Sequence, residues 1–87
     1  MSKKSEERKK ITVEDVLQGA IGSEQVQSLS FEDALGLLEE VVSAVEAGTL
    51  SLDQSIGAYE RGSQLVAHLR ALLSKAEEKL KVLGEDV

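Results

Sequence analysis

Apolar positions recur at helical spacing through most of the chain, and the strongest run begins at Ser30. Phe31, Leu35, Leu38, Val42 and Val45 follow at steps of four, three, four and three, the spacing of a coiled-coil seam. Ala34 and Val41 widen this seam into a stripe. Ser30 stands where its hydroxyl can accept a first-turn N–H, with Asp33 three residues on in the capping-box position. Glu32 and Asp33 oppose the positive end of the helix dipole. Gly48 suits the left-handed residue that ends a helix. The pattern therefore predicts a helix over about 31–47. A second start follows at once, with Ser51 and Gln54 spaced as a full capping box. Leu52, Ile56, Tyr59, Val66, Leu69, Leu73, Ala76, Leu80 and Leu83 then predict a second helix over about 52–83. Only Gly48 to Ser51 separates the two, so they must lie as antiparallel neighbours.

The expected fold is all-α: an antiparallel, coiled-coil-like two-helix hairpin over 30–83. Phe31, Leu35, Leu38, Val42, Val45, Leu52, Ile56 and Val66 form its expected core, and Ser30, Gly48 and Ser51 its caps and turn. Ser63 fills the one vacant seam position between Tyr59 and Val66. The short step from Val66 through Leu69 to Leu73 shifts the seam sideways. Two glycines fall inside the second helix, each costing about 1 kcal/mol relative to Ala. Gly62, beside the seam, is expected where a neighbouring backbone comes close. Gly57, off the seam, is expected to be merely tolerated.

The two helices differ in length. The first rises about 25 Å and the second about 48 Å. Phe31 then lies opposite about residue 68, and residues 69–83 have no partner from the first helix. This overhang carries Leu69, Leu72, Leu73, Ala76, Leu80 and Leu83, and Leu65 and Leu72 also stand to one side of the seam. Apolar stripes of this kind mark interaction surfaces. One candidate cover lies within the chain. Thr12 and Asp15 form a capping pair, and Val13, Val16, Leu17, Ala20 and Ile21 allow a short extra N-terminal helix over 13–21, ended by Gly22-Ser23. Folded back, it would lie on the overhang. The other candidate is a second polypeptide.

Composition narrows the chemistry. The chain has 87 residues, with 41% hydrophobic and 30% charged, and no Cys, Pro or Trp. A domain of this size has a thin core. Without Cys there is neither a disulfide nor a thiolate ligand. Sixteen acids against ten bases give a net charge of −6, the opposite of the balance usual for a chain that binds nucleic acid by itself. The exception is residues 1–10, with five bases and two acids, which read as a disordered basic tail. Residues 84–87 read as a short acidic C-terminal tail. No apolar run approaches a membrane span, and no secretory signal is recognised at the N-terminus. His68 has no nucleophile or second His beside it and reads as a surface or interface residue. The acid pairs Glu39-Glu40 and Glu77-Glu78 diverge around their helices and read as solvated faces. No catalytic residue, metal ligand or cofactor site is expected in this chain.

The ordered set Ser30-Phe31-Glu32-Asp33-Ala34-Leu35, Leu38-Glu39 and Val45-Glu46-Ala47-Gly48-Thr49-Leu50-Ser51-Leu52-Asp53-Gln54-Ser55 resembles the small subunit of exodeoxyribonuclease VII. The same holds for Tyr59-Glu60-Arg61-Gly62, Leu72-Leu73, Ala76-Glu77 and Lys81-Val82-Leu83. The resemblance covers about 30–83, with 11–29 standing outside it as an N-terminal extension. It implies a cytoplasmic nuclease whose large subunit degrades single-stranded DNA from either end to acid-soluble oligonucleotides. The small subunit is then a non-catalytic hairpin, several copies of which bind and stabilise the large catalytic subunit along its long helical region. It meets single-stranded DNA only through the complex and no membrane at all. Expected partner contacts are Leu65, Leu69, Leu72, Ala76, Leu80 and Leu83, with Leu37 and Tyr59 as secondary contacts. Arg61 is a candidate for pairing with an acid across the interface, or else with Glu60 in solvent. Two other readings stay open on the residues alone: a self-assembling helical scaffold without a nuclease partner, and a DNA-binding module using the basic tail.

Overall fold

The computed structural model describes residues 11–85. The expected basic tail over 1–10 and the last two residues of the chain lie outside the described part. Among these residues there are four helices: α1 (Val13–Leu17), α2 (Ser23–Gln27), α3 (Phe31–Ala47) and α4 (Leu52–Glu85). No strand occurs among the described residues. The fold is the all-α helical hairpin, with α3 and α4 packed together. Helix α4 runs on through Gly84 to Glu85, so the expected separate tail over 84–87 begins as helix.

Local signals start and stop each element. Ser30 accepts the N–H of Asp33 at 3.1 Å and opens α3. Gly48, with φ of 74°, closes it and bonds back to the Val45 carbonyl at 3.0 Å. Ser51 and Gln54 exchange both capping-box bonds at 3.1 Å, and α4 begins one residue later. Thr12 and Asp15 do the same for α1, at 3.0 and 3.2 Å. The helix expected over 13–21 stops at Leu17, however. Gly19 takes φ of 72°, its N–H meets the Val16 carbonyl, and the Ala20 N–H reaches back to Asp15. These two bonds are a Schellman stop, which satisfies the last carbonyls of the helix and turns the chain. A second short turn, α2, then starts at Gly22, whose N–H donates to Gln25 Oε1 at 2.7 Å.

The core lies between three layers: α3, α4 and the segment 11–29. Val16, Ile21 and Val26 from the segment join Ala34, Leu37 and Val41 of α3 and Ala58, Leu65 and Leu69 of α4 in one buried cluster. Leu65, Val16 and Val26 are the largest fully buried side chains. The segment lies on the body of the hairpin, not on the overhang. It is fixed near Gly57, where the α1 carbonyls approach, and near His68, whose Nε2 lies 2.8 Å from the Leu29 carbonyl oxygen. That carbonyl can only accept, so His68 donates there from a protonated Nε2.

The two glycines of α4 exchange the roles read from the sequence. A Cβ at Gly57 would stand 3.3 Å from the Val16 carbonyl oxygen and 3.7 Å from that of Leu17. Gly57 is thus where a backbone comes close. At Gly62 the nearest neighbour is a side-chain atom, Val41 Cγ1, at 4.0 Å, an ordinary contact. The seam gave no warning because the approaching backbone belongs to α1 and not to α3.

Gly48 is the residue whose left-handed conformation sets the antiparallel return. Gly48→Ala is expected to lower the stability of the chain by about 1 kcal/mol, because a Cβ is strained at positive φ. The check is the urea midpoint at unchanged slope.

Candidate partner-binding surface

With one face of the hairpin closed by residues 11–29, the opposite face is open. It forms a shallow groove of about 860 Å³ between α3 and α4. Its lining includes Leu38, Val42 and Val45 on one side and Tyr59, Val66 and Ala67 on the other. The buried Val41 of α3 also lines it, and the residues α4 contributes are mostly small. Ser55, Ala58, Gly62 and Ser63 all line the groove, so α4 presents little bulk there and the larger side chains stand as walls.

Leu38, Val42, Val45 and Val66, expected in the hairpin core, line this groove. Phe31, Leu35, Val42, Val45, Leu52 and Ile56 are exposed, from 37% for Phe31 to 77% for Leu52. Only Leu38 and Val66 of the expected core set are half-buried. The reason is a rotation of α3. Its apolar stripe is wider than one helix-to-helix contact, and the buried edge is Ala34, Leu37 and Val41, leaving the heptad row at the open edge.

The expected partner contacts divide in the opposite sense. Leu37, Leu65 and Leu69 are buried inside this chain, at 5%, 0% and 7% exposure, so they are not free to meet another molecule in this conformation. Segment 11–29 supplies the cover that was assigned to a partner. Leu72 is half-buried, while Tyr59, Ala76, Leu80 and Leu83 are exposed. Arg61 is half-buried, and its Nε is enclosed without a hydrogen-bond partner, so it is not the fully solvated half of a surface pair with Glu60.

The apolar rows, exposed apart from the half-buried Leu38 and Val66, keep a regular period. Leu52, Tyr59, Val66, Leu73 and Leu80 stand seven residues apart on α4, and Phe31, Leu38 and Val45 do so on α3. Rows of this period point at a helix that supercoils with them. Sequence reasoning found the rows but placed Phe31, Leu38, Val45, Leu52 and Val66 in the hairpin core and only Tyr59 and Leu80 among the partner contacts. A second row accompanies them: Glu32, Glu39 and Glu46 are also seven apart and all exposed, on a helix that holds five acids and no base. Arg70 lines the α4 side. In coiled coils such flanking charges select the partner helix.

The chemistry of the surface is apolar contact and charge. Among the described residues no group of three or more His, Asp or Glu side chains converges as a metal site. No helix among them is long and apolar enough to cross a membrane.

Comparison with known proteins now fixes the lineage. A profile described as exonuclease VII small subunit matches residues 31–82, more than half of the chain. This chain belongs to the exonuclease VII small-subunit family. The protein named exodeoxyribonuclease 7 small subunit in Sinorhizobium medicae (strain WSM419) is 46% identical over 63 residues, covering 72% of this chain and 76% of that one. Its namesake in Mesorhizobium japonicum is 49% identical over 59 residues, covering 68% and 71%. The namesake in Herminiimonas arsenicoxydans is 47% identical over 58 residues, covering 67% and 69%. No solved structure matches the chain. The family match takes in the whole groove and most of the overhang but stops short of α1 and α2.

Burial separates the two kinds of leucine on α4. Leu65→Ala is expected to destabilise the isolated chain by about 3 kcal/mol, as for a fully enclosed side chain. Leu80→Ala is expected to change it by less than about 0.5 kcal/mol. Equilibrium denaturation of the two variants measures the difference.

Proposed function

We propose that this chain is the non-catalytic small subunit of exodeoxyribonuclease VII, and that it binds and stabilises the large catalytic subunit that degrades single-stranded DNA. The observation that carries the reading is the open heptad groove on a chain of this family. Two helices expose rows of matching period toward one side, and a third helix laid between them would bury both. The overhang of α4 continues the same row through Leu73 and Leu80, so a long helix of the large subunit would keep its contact past the end of α3. The contact surface is accordingly Phe31, Val42 and Val45 with Tyr59, Val66, Leu73 and Leu80. It replaces the set centred on Leu65 and Leu69. The acidic row Glu32, Glu39 and Glu46 favours a partner helix with bases along its matching edge. DNA would be held by the large subunit, which is consistent with the net charge of −6 on this one. The role is cytoplasmic, where such a nuclease meets its substrate.

The test is co-expression with the large subunit from the same organism. The chain is expected to co-purify with it and to keep it soluble, and single-strand exonuclease activity is expected from the pair and not from this chain alone. Tyr59→Lys combined with Leu73→Lys should reduce capture of the large subunit at least tenfold. Helix content, followed by circular dichroism, should persist, because Lys is a good helix former and both positions are exposed. Activity from this chain alone, or undiminished capture by the double variant, would sink the reading.

A further inference from the structure

We infer that Glu46 and Arg70 form opposite charged poles of the groove and fix the direction and register in which the partner helix lies there. This deepens the reading of the groove as the site for a helix of the large subunit, and it rests on that reading. The occupant is a helix with a base facing Glu46 and an acid facing Arg70. Apolar rows alone would accept such a helix either way round, because a seven-residue spacing is the same from both ends.

Among the described residues two charged side chains line the groove, Glu46 from α3 and Arg70 from α4, and both are exposed. Glu32 and Glu39, the other members of the acidic row, lie outside the lining. The two lining charges stand at opposite ends. Glu46 is two residues from Gly48, which ends α3 at the hairpin turn. Arg70 is two residues beyond His68, whose ring nitrogen meets the Leu29 carbonyl just ahead of α3. Residues 29 to 46 correspond to roughly 25 Å of helical rise, so the poles are about that far apart. A partner helix covers this distance in about seventeen residues, close to five turns, which returns its side chains to the same face. One base and one acid at that separation meet both poles together.

Glu46 is also out of place for the hairpin itself. It lies in the last turn of α3, where the helix dipole favours a base, and that turn holds none. The acid that suits the start of α4 at the same end is already supplied by Asp53. Local rules of this kind are broken where a residue serves function. Charges facing a partner act on its choice and register, because a like charge brought against either pole is strongly disfavoured. A helix laid the wrong way round would bring its base to Arg70 and its acid to Glu46, two repulsive contacts in place of two attractive ones.

Co-expression of full-length charge variants with the large subunit tests it. Glu46→Lys and Arg70→Glu each make the two poles alike, so the partner meets a like charge at one end in either direction. Each is expected to lower capture of the large subunit at least tenfold. Glu40→Lys and Lys75→Glu make the same changes of charge at exposed positions outside the groove, and each is expected to keep capture within twofold of natural. Glu46→Lys puts a base at the end of α3, so its thermal midpoint should not fall, and lost capture is then not lost folding. Glu46→Lys together with Arg70→Glu exchanges the poles, and capture should return with the helix reversed. The chain has no Cys, so a photo-crosslinker on Ser55→Cys or Ala67→Cys reads that direction. The two linked sites on the large subunit should stand about a dozen residues apart, in one order with the natural poles and the opposite order with the exchanged ones. Single reversals that capture as the natural chain does, an exchange that restores no capture, or an order left unchanged by it would each overturn the inference. Capture by the natural chain keeps the reading of the groove intact in all three cases. No capture by the natural chain overturns that reading and the inference with it.

Discussion

Two helices side by side enclose nothing. Each can press one stripe on the other, but a side chain at the edge of the contact still meets water, and full burial needs a third element. In this chain that constraint is met by a segment of fewer than twenty residues, and the rest of the structure follows from where it lies. Leu65 is wholly enclosed because Val16 and Val26 join α3 in covering it. Docking of the segment also sets the start of α3, since Leu29 is tied to His68 and Ser30 caps the next helix. It decides which edge of α3 turns inward. With Ala34 and Leu37 buried with the segment and α4, and Val41 buried at the α3–α4 contact, the heptad row through Phe31, Leu38 and Val45 is left toward the open side.

The groove is a consequence of that orientation and of side-chain size. Ala58 and Gly62 put almost no volume beneath the α3–α4 contact on the open side, while Val42, Val45 and Tyr59 rise around it. Filling the floor with larger residues would let a hairpin of this kind cover itself. Small residues there leave room for a ridge of another helix, and the seven-residue period of the walls sets the spacing of the side chains that fit. The acidic row on α3 adds a preference of sign at the rim, where charge acts on partner choice more than on affinity.

The start and stop signals were legible in the sequence because they are local. Ser30, Gly48, the Ser51–Gln54 box and the Thr12–Asp15 pair each involve residues three or four apart, and each forms a bond that the spacing alone requires. The rotation of the helices was not legible in the same way. Along α3, residues 31, 34, 35, 37, 38, 41, 42 and 45 are all apolar, so the stripe covers more of the circumference than one neighbour can bury. Choosing the row with the largest side chains gave the seam at Phe31 and Leu35. The true contact uses Ala34, a residue that weighs little in any hydrophobic count but lets the helices come close. The roles of Gly57 and Gly62 were reversed for the same reason. A glycine is matched to whichever element approaches it, and the element at Gly57 is one turn of helix that ends at Leu17, four residues earlier than the apolar pattern suggested.

The overhang of α4 has a different physical status from the rest. Beyond Leu72 no other element of the described chain covers the helix, and Leu73, Leu80 and Leu83 are about half exposed or more. Most helical stability in proteins comes from packing an amphipathic face, with little left to intrinsic propensity over a few turns. Side-chain pairing adds little here: Glu77 and Lys81 are spaced to attract, whereas Lys75 and Lys79 are spaced to repel. The last three turns of α4 therefore have an apolar face and no tertiary contact to hold it. A partner helix that enters the groove and continues along this stretch both buries Leu73 and Leu80 and gives those turns the packing they lack. Part of its binding energy is then spent on holding the helix. For that reason the contacts along the overhang should contribute less affinity per unit area than those over the groove, where both walls are already fixed.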